Sequence, residues 1–183
     1  MTGDVTVISG PTAVGKGTVV SALRSRYPQV WVSVSATTRP PRPGETNGVH
    51  YLFVSNAEFD KLIASDGLLE WAEVHGAARY GTPAAPVRTA VAAGRHVILE
   101  IDIQGARQVR EHLPQARFVF IAPPSEEALR QRLFDRGTER PAEMERRLRT
   151  AESELAAKGE FEHVVVNDDL GRAVEELVGL LGL

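Results

Sequence analysis

Two stretches of the chain gather residue types that handle phosphate. Residues 10–18 read GPTAVGKGT, a glycine-bracketed run that contains Gly-Lys near its end. Glycines let backbone N–H groups approach an anion, and the lysine ammonium reaches the outer phosphates of a polyphosphate tail. Gly10, Pro11, Thr12, Ala13, Val14, Gly15, Lys16, Gly17 and Thr18 are the expected cradle. The strict pattern wants a hydroxyl directly after the lysine, for magnesium. Here Gly17 stands there and Thr18 follows, available to a metal directly or through a water. The plainer reading, a glycine-rich turn that opens a helix, is disfavoured by context. An apolar run, Val5–Ser9, precedes the loop, and a helical pattern through about Arg26 follows it.

The second stretch is SVSATTRPPRPGETNGVHY, where Arg39 and Arg42 sit among prolines and Tyr51 follows. Proline stiffens the backbone, so the guanidinium groups ride on a pre-set loop. Paired arginines grip a phosphate through charge-assisted bonds, and a tyrosine hydroxyl adds a donor. A solvated turn with weak surface pairs would be the usual reading of such a loop, but not beside a phosphate cradle.

Further on, LLEWAEVHG sets Glu70 between apolar neighbours. A carboxylate accepts two hydrogen bonds, and guanine offers two parallel donors on one edge, whereas adenine offers an acceptor at N1. A buried carboxylate therefore separates the bases, because the wrong one leaves its charge unpaired. Taken alone, Glu70 would be read as a rim or cap residue. In VILEIDIQG, Glu100 and Asp102 are two apart on an expected strand, so both leave the same face. That face is expected to open onto a cleft.

The elements that must position these groups alternate short apolar runs with longer helical patterns, which predicts an α/β fold with a mostly parallel central sheet. Val5–Ser9, Val30–Ser35, Val97–Asp102, Phe118–Ala122 and His163–Val166 are the expected strands. Helical patterns fill Gly105–His112, Glu126–Arg136, Glu143–Lys158 and Leu170–Leu181. Residues 36 to about 82 fit poorly: they are rich in Pro and Gly, with short strand-like pieces and one helix near Ala57–Ala64. This stretch reads as an insertion that handles a substrate.

The 183 residues suit one compact domain, and 25% charged residues is ordinary for a globular protein. The formal charge of −3 gives no global basic field for nucleic acid or an anionic membrane. With no cysteine there is no disulfide and no thiolate zinc site, and the five histidines lack metal-ligand spacing. Neither a basic, apolar leader nor an apolar run near the roughly 20 residues of a membrane helix is present, so a cytoplasmic location is expected. Trp31 and Trp71 are read as packing residues.

The motifs GPTAVGKGT, SVSATTRPPRPGE, LLEWAEVHG, ARYGT, VILEIDIQG, FIAPPS, RGTE and VVVND occur in an order that resembles guanylate kinase, from about residue 5 to residue 180. The resemblance implies a P-loop NTPase-type parallel sheet flanked by helices, as one domain. Its core would be 1–35, 83–124 and 160–183, with a GMP-binding insertion at about 36–82 and a helical lid at about 125–159. The implied reaction joins ATP and GMP to give ADP and GDP, with dGMP also accepted, for guanine nucleotide recycling and supply. Magnesium would accompany ATP, and the protein would be a monomer or homodimer. By the same resemblance, Arg39, Arg42, Tyr51 and Tyr80 hold the GMP phosphate, while Ser35, Glu70, Thr82 and Asp102 read guanine. Glu100 then lies near the metal and its waters, against a competing reading that makes one of Glu100 and Asp102 the magnesium partner. Lys16, Arg136 and Arg147 serve catalysis, and Arg132 joins the ATP site. Arg130, Arg140 and Arg146 are left to a solvated helical face. Two departures stand out: Ala13 where the family often has glycine, and Gly17 in place of a common serine. A kinase of another monophosphate and a non-catalytic module that binds phosphorylated peptides are the rival readings.

Overall fold

The computed structural model describes residues 3–74, 78–135 and 141–183. Five strands form a parallel sheet in the order β2-β7-β1-β8-β9: Trp31–Val32, Val97–Glu100, Val5–Ser9, Arg117–Ala122 and His163–Val166. The expected strand class and parallel architecture are thus met. Alternation along each strand divides the core between the two sheet faces. Ile8, Val119 and Ile121 point toward one layer, which includes Val19 and Leu23 of α1 (Lys16–Arg26) and Leu177 of α7 (Leu170–Leu181). Val7, Phe118 and Phe120 point to the other, with Val87 of α3 (Ala84–Ala92) and Val109 of α4 (Ile103–His112).

Residues 36–83 build a separate four-stranded sheet, ordered β4-β3-β6-β5. Its strands are β3 (Ala36–Thr37), β4 (Leu52–Phe53), β5 (Leu68–Val74) and β6 (Ala78–Pro83). Its own small core is Ala36, Phe59 and Leu68, where Phe59 comes from α2 (Asn56–Ala64). That helix starts at a reciprocal cap: Ser55 accepts from the Glu58 amide while Glu58 accepts from the Ser55 amide. Gln108 of α4 stitches β5 to the main body, accepting from the Trp71 amide at 3.1 Å and donating to its carbonyl at 2.8 Å.

The strand reading of Val30–Ser35 was too long. Only Trp31–Val32 pair with the main sheet, and the chain then crosses to the second sheet at Ala36. Helix α3 and the β5–β6 ribbon carried no clear periodic signal. Beyond β8, α5 (Glu126–Asp135) and α6 (Pro141–Ala156) pack on each other, and Arg130 pairs with Glu152 between them at 2.7 Å. Among the described residues, no helix is long and apolar enough to cross a membrane.

Candidate active site

The loop between β1 and α1 lies at the carboxyl end of the central strand, the usual ligand edge of an open parallel sheet. Gly15 stands before the first turn of α1 at φ 96°, and no side chain caps that helix. By contrast, α4 and α7 are capped by Asp102 and Asp169. A helix start with no side-chain cap suits an outside anion. Lys16 Nζ folds back over the loop, donating to the carbonyls of Gly10 at 2.5 Å and Pro11 at 3.1 Å.

The loop is held from behind. The Val14 carbonyl accepts from Asn167 Nδ2 at 2.8 Å and from Arg132 Nη1 at 3.0 Å, while Arg132 Nη2 donates to the Asn167 carbonyl. Arg132 thus meets the cradle's backbone. Gly15 abuts the same asparagine: a Cβ there would lie 2.7 Å from Asn167 Nδ2. Asn167 was not singled out in the sequence, although VVVND was noted. Position 17, not 18, faces Glu100, since a Cβ on Gly17 would sit 3.4 Å from Glu100 Oε1. Thr18 follows about 100° further round the helix, and both positions are exposed.

A cleft of about 700 Å³ runs from this loop to the second sheet. Lys16, Ser35, Tyr51, Glu70, Tyr80, Glu100, Asp102 and Arg147 all line it. The sheet register explains the grouping. Glu70 stands opposite Thr82, Ala72 opposite Tyr80, and Tyr80 opposite Thr37, so these side chains share one face.

Glu70 is 6% exposed although it is charged, while its neighbour Trp71 is 38% exposed. This reverses the ordinary preference, although the Trp71 ring still packs edge-on against Phe59, the packing role expected of it. Thr82 Oγ1 donates to Glu70 Oε1 at 2.6 Å. Burial pushes the Glu70 carboxyl up to about 7, with the Thr82 bond opposing and Asp102 adding to the rise. Asp102 accepts from the Gly105 amide at 2.7 Å, so it both caps α4 and faces the cleft. Gly105 makes the arrangement fit: a Cβ there would lie 2.6 Å from Glu70 Oε2. That glycine was legible only as part of IQG. Ser33 also lines the cleft, and its buried hydroxyl has no hydrogen-bond partner among the described residues.

At the second sheet, Arg39 Nε donates to the Tyr80 hydroxyl at 3.1 Å, and its guanidinium lies 5.0 Å from the Tyr51 ring centre. Both terminal nitrogens of Arg39 hold Glu45, which also accepts from the Arg42 amide at 2.7 Å. These contacts, Arg39 first, hold the Glu45 carboxyl down to about 2. The Arg42 residue is exposed. Burial raises Glu100, and Lys16 pulls it back. Arg136 lies outside the described residues.

One end of the cleft thus suits a polyphosphate. The other end holds the buried Glu70 beside Asp102 with Tyr51 and Tyr80, and Arg147, Thr150 and Glu154 of α6 line the cleft as well. The family model described as guanylate kinase matches residues 2–182. Guanylate kinase of Cutibacterium acnes is 59% identical over 184 residues, covering all of this chain and 92% of that protein. That of Thermobifida fusca is 58% identical, covering 97% of this chain and 90% of that protein. The crystal structure of guanylate kinase from Anaplasma phagocytophilum superposes with a TM-score of 0.80 at 32% identity, over 99% of this chain and 85% of that one. The chain belongs to the guanylate kinase family.

Proposed function

We propose that this enzyme moves the γ-phosphoryl group of ATP to the phosphate of GMP, and equally to that of dGMP, in the recycling and supply of guanine nucleotides. The observation that carries the acceptor is the buried Glu70, bonded to Thr82, with Asp102 beside it. Ionised, it meets the two donors of guanine. An adenine would leave it without them, at about 1–3 kcal/mol for an unsatisfied buried group and more for a charged one.

Arg39, Arg42, Tyr51 and Tyr80 take the GMP phosphate, with Ser35 beside the base. Lys16 and the loop amides hold the donor, and Arg132 steadies that loop. A monoester phosphate with a second pKa of about 6 is already largely dianionic at neutral pH, so no general base is needed. What the protein supplies is alignment and charge: Lys16, Arg136 and Arg147 face the transferring group. The insertion at 36–82 and the lid at 125–159 close to exclude water.

Magnesium fits this site as a partner of the nucleotide rather than of a protein cage. Among the described residues no three metal-ligating side chains cluster, and Glu100 is a half-buried carboxylate beside Lys16 and Gly17. Such a site relies on phosphate oxygens and waters, with one carboxylate near them. When bound, the ion neutralises charge on the β- and γ-phosphates.

ADP release measured with GMP, dGMP, AMP, UMP and CMP tests the reading. Turnover with GMP and dGMP alone is expected. Preference for AMP would overturn the guanine assignment, and silence with every acceptor would favour a phosphopeptide-binding module.

A further inference from the structure

Helix α6 ends on a charge that does nothing for the helix itself. Glu154 lies in its last turn, where the helix dipole disfavours a carboxylate by about 0.3–1 kcal/mol. It is also partly buried, which raises its carboxyl above the usual range. What it gains is outside the helix. Glu154 Oε2 accepts from the Thr12 amide at 2.7 Å, a bond between residues 142 apart in the chain, and Lys16 lies close enough to favour its ionised form.

Arg147 is seven residues earlier, two helical turns or about 10.5 Å along the same face. Arg147, Thr150 and Glu154 all line the cleft, while Leu148 and Ala151 turn toward the core. The tether at Glu154 therefore holds the end of the α6 face that carries Arg147 into the cleft.

We infer that Glu154 is a positioning residue: by holding the Thr12 amide it locks the lid helix to the phosphate loop and so sets Arg147 over the reacting group. This deepens the kinase reading and rests on it for its catalytic consequence. The tether itself needs no reaction to be seen.

The test uses Glu154→Ala, Glu154→Gln, Arg147→Ala and the Glu154→Ala/Arg147→Ala double variant of the full chain. Glu154→Ala is expected to lower kcat about tenfold with the KM for GMP within twofold. In the Arg147→Ala background the same change costs less than twofold, because the two losses share one cause. Glu154→Gln regains most of the rate, since its amide oxygen still accepts from Thr12. Equal losses in both backgrounds, an unchanged kcat, or a Gln variant as poor as Ala would each overturn the inference. If melting curves show that Glu154→Ala does not fold, Glu154→Asp replaces it, withdrawing the oxygen by about 1.5 Å.

Amide exchange in the nucleotide-free protein separates this from the function itself. Glu154→Ala should speed exchange in residues 10–18 and 145–156 together, and Gln should not. Unaltered exchange in the Ala variant sinks the tether whatever the substrate proves to be, whereas a wild type inactive on GMP with exchange as expected sinks only the kinase reading.

Discussion

Arg39 places both terminal nitrogens on the Glu45 carboxylate at 2.6 Å each, while its Nε donates to Tyr80. With Nη1 also reaching the Pro40 carbonyl, one N–H on Nη2 has no acceptor among the described residues. The fork is thus oriented by the fold before any phosphate arrives, and orientation is what lysine cannot reproduce. Arg39→Lys is expected to raise the KM for GMP at least tenfold and to change kcat less than threefold. Steady-state kinetics with varied GMP at saturating ATP checks this; a loss confined to kcat would move Arg39 from binding to the chemical step.

Glu70 makes the protein's response to pH calculable in sign. Its carboxyl sits at about 7 in the fold and near 4.3 when unfolded. The nucleotide-free fold therefore holds the extra proton between those values, so its contribution to stability is present at low pH and is lost as pH rises through 7. In the proposed complex guanine's two donors favour the ionised form, so GMP binding below pH 7 is expected to release a proton. The KM for GMP should rise more steeply from pH 8 to pH 6 in the wild type than in Glu70→Gln, which removes the phosphate's own titration from the comparison. Parallel profiles would exclude Glu70 as the base acceptor.

Gly105 is the silent partner of that carboxylate. An alanine would gain about 1 kcal/mol of helix propensity in α4. Its Cβ, however, would fall 2.6 Å from Glu70 Oε2 and 3.1 Å from Cδ, so the buried carboxylate must shift off Thr82. Losing that bond costs about 1–3 kcal/mol, which cancels or exceeds the gain. Gly105→Ala is expected to leave the melting temperature within a few degrees while raising the KM for GMP tenfold or more. A wild-type KM would mean that Glu70 has room the structure does not give it.

Arg132 reaches the Val14 and Asn167 carbonyls without any nucleotide. Arg132→Ala should then lower the melting temperature of the nucleotide-free protein, as well as raise the KM for ATP severalfold and spare that for GMP. An unchanged melting temperature with a raised KM for ATP would make the nucleotide its main partner.

What the sequence made legible follows from locality. The cradle and the strands Val5–Ser9 and His163–Val166 are contiguous signals, each read within one short window. Glu70 was legible because a charge among apolar neighbours asks for a partner. That the partner is Thr82 depends on the β5–β6 register, which no window contains. The ribbon itself was hidden because burial runs against hydropathy at Glu70 and Trp71, and α3 because its Ala- and Pro-rich start carries little periodicity. Asn167, Glu154 and Gly105 act on residues 153, 142 and 35 positions away. Polar residues with partners that distant look like surface until the chain is folded.

Ala13 shows the same limit from the other side. The resemblance leads one to expect glycine there, and the structure holds Ala13 at φ 62°, in the left-handed region. For a residue with a Cβ that conformation costs about 1–2 kcal/mol. Ala13→Gly removes the strain but gives the unfolded chain more freedom, worth about 0.4–1 kcal/mol against the fold. The balance favours glycine by up to about 1.5 kcal/mol. With about 2–4 °C per kcal/mol for a chain of this length, Ala13→Gly should melt a few degrees higher. Differential scanning calorimetry without nucleotide checks it, and a lower melting temperature would show that the alanine methyl makes contacts outweighing its strain.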